Sequence, residues 1–367
     1  MSASSANAPL AALAAGGTGG HMFPAQALAE VLKARGWRVA LFTDARGMVH
    51  AGAIPADRRV ELRAGSIAPS KPIKSIGGAI RLAQGLMTAR KDFAADRPDV
   101  VVGFGGYPAF PALLAARLAK IPYVIQEQNA VLGRVNRLFA GSAAGVAAGF
   151  AKLERMPSGA DFTVTGNPLR QAVLAAAGAP YEAPAPDGPL RLVVLGGSLG
   201  AAILSETVPR AVVALPPELR MRLKVTQQTR EESLNTARKL YADAGVEAVC
   251  SPFFRDVASL LRDAHLVVAR AGASTVSELA AVGRPSILVP LKIAMDDHQT
   301  HNAAALAEAG AADVVQEHEL TQEGLTALLA RRLADGPDLA RRAAAAAQHG
   351  RPGAAEDLAA LVVRAAS

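Results

Sequence analysis

Residues 16–21 read Gly-Gly-Thr-Gly-Gly-His, four glycines in five positions closed by a histidine. A loop of this kind lets backbone N–H groups approach a pyrophosphate, and the helix that follows presents its positive end to the same charge. His21, opening that helix, is suited to act as a general base or to neutralise charge, or it is a polar helix-start residue with no chemistry. A second permissive loop, GFGGYP (Gly103 to Pro108), follows the apolar run DVVV and reads as a partner on the same edge or as a simple turn. QEQN (Gln126 to Asn129) follows YVI and brings amides and a carboxylate to that edge, an array suited to sugar hydroxyls or to helix capping. In TGNPLR, Arg170 could reach a phosphate or sugar, although Asn-Pro alone makes a turn.

The second half repeats the pattern. GGSLG (Gly196 to Gly200) lacks the GK[ST] ending of a P-loop and reads as a phosphate or sugar loop without a metal-binding Ser. RAGASTVSE is the most informative stretch: Gly272 to Thr275 would start a helix aimed at a diphosphate, and Glu278, one turn in, would accept both ribose hydroxyls. The same residues also read as a capping box, Thr275 with Glu278. In MDDHQTHNA, His298 and His301 follow Asp296 and Asp297; without a third ligand this reads as a polar helix start rather than a metal site, with Asp297 and Gln299 facing a sugar. A dinucleotide reading of the first loop would use Asp44 on the ribose, but its fingerprint needs a small residue where Met22 stands.

These residues need rigid elements behind them. WRVALFTD, PDVVVGF, IPYVIQ, RLVVL, RLKVTQQ, AHLVVA and RPSILVP are strand-like runs alternating with helical segments, the grammar of parallel sheets covered on both faces. Pro, Gly and Ala crowd residues 176–190, and the strand, glycine loop and helix then begin again. Two such α/β units would face their loops across one cleft. The Ala-rich stretch 336–367 has helical spacing. In residues 71–91, Ile73, Ile76, Ile80, Ala83 and Met87 share one helix face beside Lys71, Lys74, Arg81, Arg90 and Lys91, which suits an anionic bilayer or a core.

At 367 residues the chain fits two domains, and 51% hydrophobic with 19% charged residues excludes long disorder. The lone Cys250 excludes internal disulfides and favours a reducing compartment. The N-terminal MSASSANAPLAALAA, with no Lys or Arg ahead of its apolar segment, reads as a lead-in to the first strand. No run reaches about 18 apolar residues, so a spanning helix is not supported. The net charge of +7 suits an anionic partner, and scattered basic residues without stacking aromatics argue against nucleic acid.

In this order, GGTGGH, GFGGYP, EQN, TGNPLR, GGSLGA, RAGASTVSE and DDHQTHNA resemble the MurG family, UDP-N-acetylglucosamine:N-acetylmuramoyl-pentapeptide-pyrophosphoryl-undecaprenol N-acetylglucosaminyltransferases, over roughly residues 10 to 345. The resemblance implies a GT-B fold, two Rossmann-like doubly wound parallel-sheet domains around a cleft, with boundaries at 1–168, 169–344 and a helix within 345–367 returning to the first domain. It implies an inverting transfer of N-acetylglucosamine from its UDP donor to a polyprenyl-pyrophosphoryl glycolipid, with no cofactor and no essential metal. His21 or Glu127 would be the base. Thr18, Gly19, Asn129, Arg170, Ser198, Phe254, Ala273, Ser274, Thr275, Glu278 and Gln299 would meet the donor, with Phe254 at uracil and Glu278 at ribose. Gly17, Gly20, Gly105, Gly106 and Tyr107 would hold the acceptor diphosphate. Ile73, Ile76, Ile80, Lys71, Lys74 and Arg81 would rest on the cytoplasmic leaflet of the inner membrane, where other cell-wall synthesis proteins are expected partners. Gln126, Leu199 and His298 depart from residues common in the family. The competing readings are a UDP-sugar:diacylglycerol glycosyltransferase, an NAD-dependent oxidoreductase and a non-catalytic nucleotide-sugar-binding module.

Overall fold

A computed structural model describes residues 8–17, 19–49, 51–65, 72–197 and 200–367, without the side chains of residues 72–76. The chain divides into two compact units, residues 1–170 with 353–367, and residues 171–352.

In the first unit, β1 (Leu10–Ala14), α1 (Gly19–Ala34), β2 (Arg38–Thr43), α2 (Ala45–Met48), β3 (Arg58–Glu61), α3 (Pro72–Ala95) and β4 (Val100–Gly103) come in turn. They are followed by α4 (Gly106–Leu118), β5 (Tyr123–Glu127), α5 (Arg134–Ala140), β6 (Gly145–Ala148) and β7 (Thr163–Val164). Among the described residues its sheet has seven strands, all parallel, in the order β3-β2-β1-β4-β5-β6-β7. Strands β1, β4 and β5 are buried at every position, which is why β1, β4 and the first three residues of β5 are continuously apolar rather than alternating, while β5 ends in buried Gln126 and Glu127.

The second unit runs α6 (Gln171–Ala176), β8 (Leu190–Leu195), α7 (Ala202–Val213), α8 (Pro217–Arg220), β9 (Leu223–Gln228), α9 (Leu234–Asp243), β10 (Glu247–Ser251) and α10 (Val257–Asp263). It continues with β11 (Leu266–Ala269), α11 (Ala273–Val282), β12 (Ser286–Leu288), α12 (His298–Glu308), β13 (Ala312–Val314), α13 (Gln322–Leu333) and α14 (Gly336–Gln348). Its six described strands are parallel, ordered β10-β9-β8-β11-β12-β13.

Helix α15 (Ala354–Ala366) belongs to the first unit. Leu358, Ala359 and Val362 are fully buried there among Leu28 and Leu32 of α1 and Val100 and Val102 of β4. Each fully buried Leu or Val contributes about 1.5–3 kcal/mol, so this one helix carries a large share of that face. The Ala-rich stretch is therefore two helices with two destinations: α14 packs on α11 in the second unit, and the return begins at Gly353 rather than 345.

In both sheets the strand order reverses direction once, between β1 and β4 and between β8 and β11. Open parallel sheets leave a crevice at the carboxyl ends of the strands at such a point. The loops after β1 and β4 carry GGTGGH and GFGGYP, and those after β8 and β11 carry GGSLG and RAGAST.

Helix α3 turns a different stripe to the core than its sequence suggests. Leu82, Ala89 and Phe93 are buried, the helix packing along α4 with Phe93 edge-on to Phe42 of β2, while Ile80 and Met87 are 54% and 72% exposed, beside exposed Arg81, Arg90 and Lys91. Its far end is pinned by Asp92 and Asp96, which pair with Arg58 of β3, and Asp96 also with Arg38 of β2.

Candidate functional site

At the first unit's reversal point, the two loops press directly on each other. A Cβ on Gly16 would lie 2.6 Å from Pro108 Cγ, so only glycine fits where the β1 loop meets the start of α4. Asp44, at the end of β2, holds the same loop: Oδ1 accepts the Gly17 and Gly47 N–H groups at 3.1 and 3.0 Å, and Oδ2 accepts Arg46 Nε–H at 3.0 Å. The carboxylate that a dinucleotide site would need is thus spent on the backbone. Met22, 2% exposed, fills the core instead of clearing space for a pyrophosphate.

His21 Nδ1 lies 2.7 Å from the carbonyl oxygen of Phe104. A carbonyl only accepts, so Nδ1 carries the proton and the neutral ring keeps its lone pair on Nε2. A Cβ on Gly106 would sit 3.6 Å from that Nε2, and one on Gly105 3.6 Å from His21 Cε1, which puts His21 with Gly105 and Gly106 at one spot. Tyr107 is half-buried on the next position of α4.

Glu127 closes β5 and is 2% exposed. Its Oε1 accepts Asn129 N–H and Nδ2–H at 3.0 and 3.2 Å, and its Oε2 accepts Gly133 N–H and Asn136 Nδ2–H, both at 2.8 Å. Gln128 Nε2 donates to the same Phe104 carbonyl at 2.9 Å and to Gln126 Oε1 at 2.6 Å. Gln126 donates on to Asn167 Oδ1 at 3.2 Å, and Asn167 Nδ2 to Gln128 O at 2.9 Å. The array expected to face sugar hydroxyls at 126–128 is instead turned inward, a buried amide lattice that sets the Phe104 carbonyl and hence the His21 ring. Asn129 is half-buried at its margin. Arg170 stacks over Phe23, near the start of α1, at 5.2 Å.

In the second unit, Gly196 is confined by backbone: a Cβ there would lie 2.5 Å from Ala201 N. Gln228, at the end of β9, accepts Gly196 N–H at 3.0 Å and donates to Gly197 O and Pro252 O at 3.0 and 3.2 Å, tying three strand ends together. The loop after β10 continues from that Pro252 to half-buried Phe254.

Helix α11 starts at Ala273 with Gly272 as its N-cap and no side-chain cap. Thr275 is therefore inside the first turn, and the capping-box alternative fails. The N–H groups of Ala273, Ser274 and Thr275 are presented to an anion by an uncapped ten-residue helix. Glu278, one turn on, is 8% exposed. Gln299, in the first turn of α12, accepts the Leu291 N–H at 3.0 Å, and His298 Nδ1 lies 2.8 Å from Met295 O. Thr18, Ser198, Leu199 and Lys71 lie outside the described residues, as do the side chains of Ile73, Lys74 and Ile76.

Sequence reasoning passed over Asp44 as a loop anchor, and over Asn136, Asn167, Gln228, Arg270, Asn302 and Glu317. Gln228 and Arg270 stand at strand ends, where a polar side chain after an apolar run is a usable signal; the others hold their partners only through the tertiary fold.

The glycosyltransferase family 28 N-terminal domain matches residues 11–148, and the family's C-terminal domain matches residues 191–358. The chain is 55% identical, over 95% of its length and 96% of the relative's, to a UDP-N-acetylglucosamine–N-acetylmuramyl-(pentapeptide) pyrophosphoryl-undecaprenol N-acetylglucosamine transferase of Maricaulis maris. A protein of the same name from Phenylobacterium zucineum is 52% identical over 96% of this chain and 97% of its own. The crystal structure of Acinetobacter baumannii MurG matches 97% of this chain and 99% of its own with a TM-score of 0.79 at 33% identity. With both domains matched and such relatives along nearly its whole length, the chain belongs to the MurG family of glycosyltransferase family 28.

Proposed function

We propose that this chain moves N-acetylglucosamine from UDP-N-acetylglucosamine to the C4 hydroxyl of an undecaprenyl-pyrophosphoryl N-acetylmuramoyl-pentapeptide, with inversion at the anomeric carbon. The observation that carries the reading is 55% identity across nearly the whole chain to a relative named for this transfer. The geometry supports a role for each of four residues or elements in this reading. His21, its Nε2 lone pair fixed by the Phe104 carbonyl, takes the proton of the acceptor hydroxyl as that oxygen bonds to the anomeric carbon. The bond to the β-phosphate oxygen breaks, and the charge gathering on departing UDP meets the uncapped start of α11. Glu278 takes the ribose hydroxyls. Glu127, with four hydrogen bonds accepted inside the fold, organises the loop rather than serving as the base.

Among the described residues no helix is long and apolar enough to cross a membrane. The exposed stripe of α3, Ile80 and Met87 among Arg81, Arg90 and Lys91, supports peripheral docking on an anionic cytoplasmic leaflet.

UDP release from UDP-N-acetylglucosamine, with and without a short-chain lipid-linked muramoyl-pentapeptide, tests the reaction. Acceptor-dependent release is expected; tight UDP binding without release would leave a different acceptor or a binding module. Sedimentation with anionic vesicles should fall for Ile80→Glu with Met87→Glu, and binding unchanged by both would remove the stripe from the membrane contact.

A further inference from the structure

Arg270 follows the last residue of β11 and opens the turn that leads into α11. Its side chain is 10% exposed; Nη1 lies 2.6 Å from Glu317 Oε2 and donates to the carbonyl oxygens of Val289 and Pro290, each at 3.2 Å. The same Glu317 oxygen accepts the Lys292 N–H at 3.3 Å. One residue after Arg270 the weave continues: Asn302 Nδ2 of α12 donates to Ala271 O at 3.1 Å. One carboxylate thus joins the turn beneath the diphosphate helix to the loop that runs from Val289 to Gln299.

The loop leaves the core after buried Val289 and Pro290, and Ile293 and Met295 beyond them are 85% and 52% exposed, so its outer part is shaped by hydrogen bonds more than by burial. Asp296 and Asp297 sit at φ +56° and +53°, a left-handed conformation that residues with a Cβ keep only where their surroundings impose it. At its end, Gln299 Oε1 accepts the Leu291 N–H at 3.0 Å, which ties the side chain proposed to meet the sugar to the residue next to Lys292.

We propose that Glu317, acting through Arg270 and the Lys292 amide, is the positioning residue that sets the sugar selectivity of the donor site. The proposal rests on the UDP-sugar reading of this unit. Glu317 touches no substrate; it holds Gln299 and the Val289–Gln299 loop where one C4 epimer of a UDP-hexosamine is distinguished from the other.

Glu317→Gln, compared with the intact enzyme, tests it. The expected result is a roughly tenfold rise in KM for UDP-N-acetylglucosamine and a similar loss of preference over UDP-N-acetylgalactosamine, with the inhibition constant of UDP itself within about twofold of the parent. Because the change leaves a buried guanidinium without its partner, Glu317→Asp is measured beside it; if the glutamine variant fails to fold, the aspartate variant shows the same split in smaller measure. A UDP constant that rises in step with KM, or unchanged epimer preference in a folded variant, would overturn the proposal. If the parent protein binds no UDP, the donor reading falls and this inference with it.

Discussion

At the first unit's reversal point the decisive groups are side chains: His21, with its tautomer dictated by Phe104, and the buried Gln126, Glu127, Gln128, Asn136 and Asn167 that hold that carbonyl in place. At the second unit's equivalent point they are backbone: an uncapped helix start, a glycine loop fastened by Gln228, and one carboxylate, Glu278, set a turn deeper. In the proposed reaction the same strand order would serve two chemistries. Moving a proton requires a lone pair in a fixed place; holding a diphosphate requires only dipoles that do not move.

The sharpest way to break this comparison is His21→Asn, which can retain a donor near Phe104 O but has no ring nitrogen to act as base. A fall in kcat of about 10²–10⁴-fold is expected, with UDP affinity measured by calorimetry unchanged. Ordinary turnover would end the assignment. Next in size, Glu127→Ala strips the acceptor from four buried or half-buried donors and should destabilise the first unit by about 3 kcal/mol in denaturant titration. A stable variant with lost turnover would instead return Glu127 to the chemistry.

The smallest effect belongs to the second unit's only strongly shifted histidine among the described residues. Burial, then Arg191, Arg284 and Arg222, bring His265 down to about 4. The folded state therefore resists a proton that the unfolded chain accepts, so stability is full above the ordinary value of 6.5 and declines as pH falls toward 4. Thermal melts should show this decline and a flatter profile in His265→Asn; identical profiles would contradict it.

Much of this architecture is legible in the sequence. Runs such as DVVVGF and RLVVLGG announce buried parallel strands ending in glycine, because nothing else can continue after the strand at such close approach, as Gly16 and Gly196 show. The face of α3 is not legible: Ile80, Ala83 and Met87 and the buried Leu82, Ala89 and Phe93 both fit helical spacing, and only tertiary packing, chiefly along α4, decides between them. Nor does spacing reveal that QEQN points inward, since its partner Asn167 lies far along the chain. RAGASTVSE suits a capping box equally well until Gly272 is seen to take the N-cap position.

Helix α15 also imposes an order of events on synthesis. The hydrophobic face of the first unit that receives Leu358, Ala359 and Val362 stays uncovered until the ribosome has made all of the second unit and then residues 354–366. The domain translated first is thus the one finished last, and a stop codon just beyond residue 352 would spare the second unit while leaving its elder neighbour permanently open to chaperones and proteases.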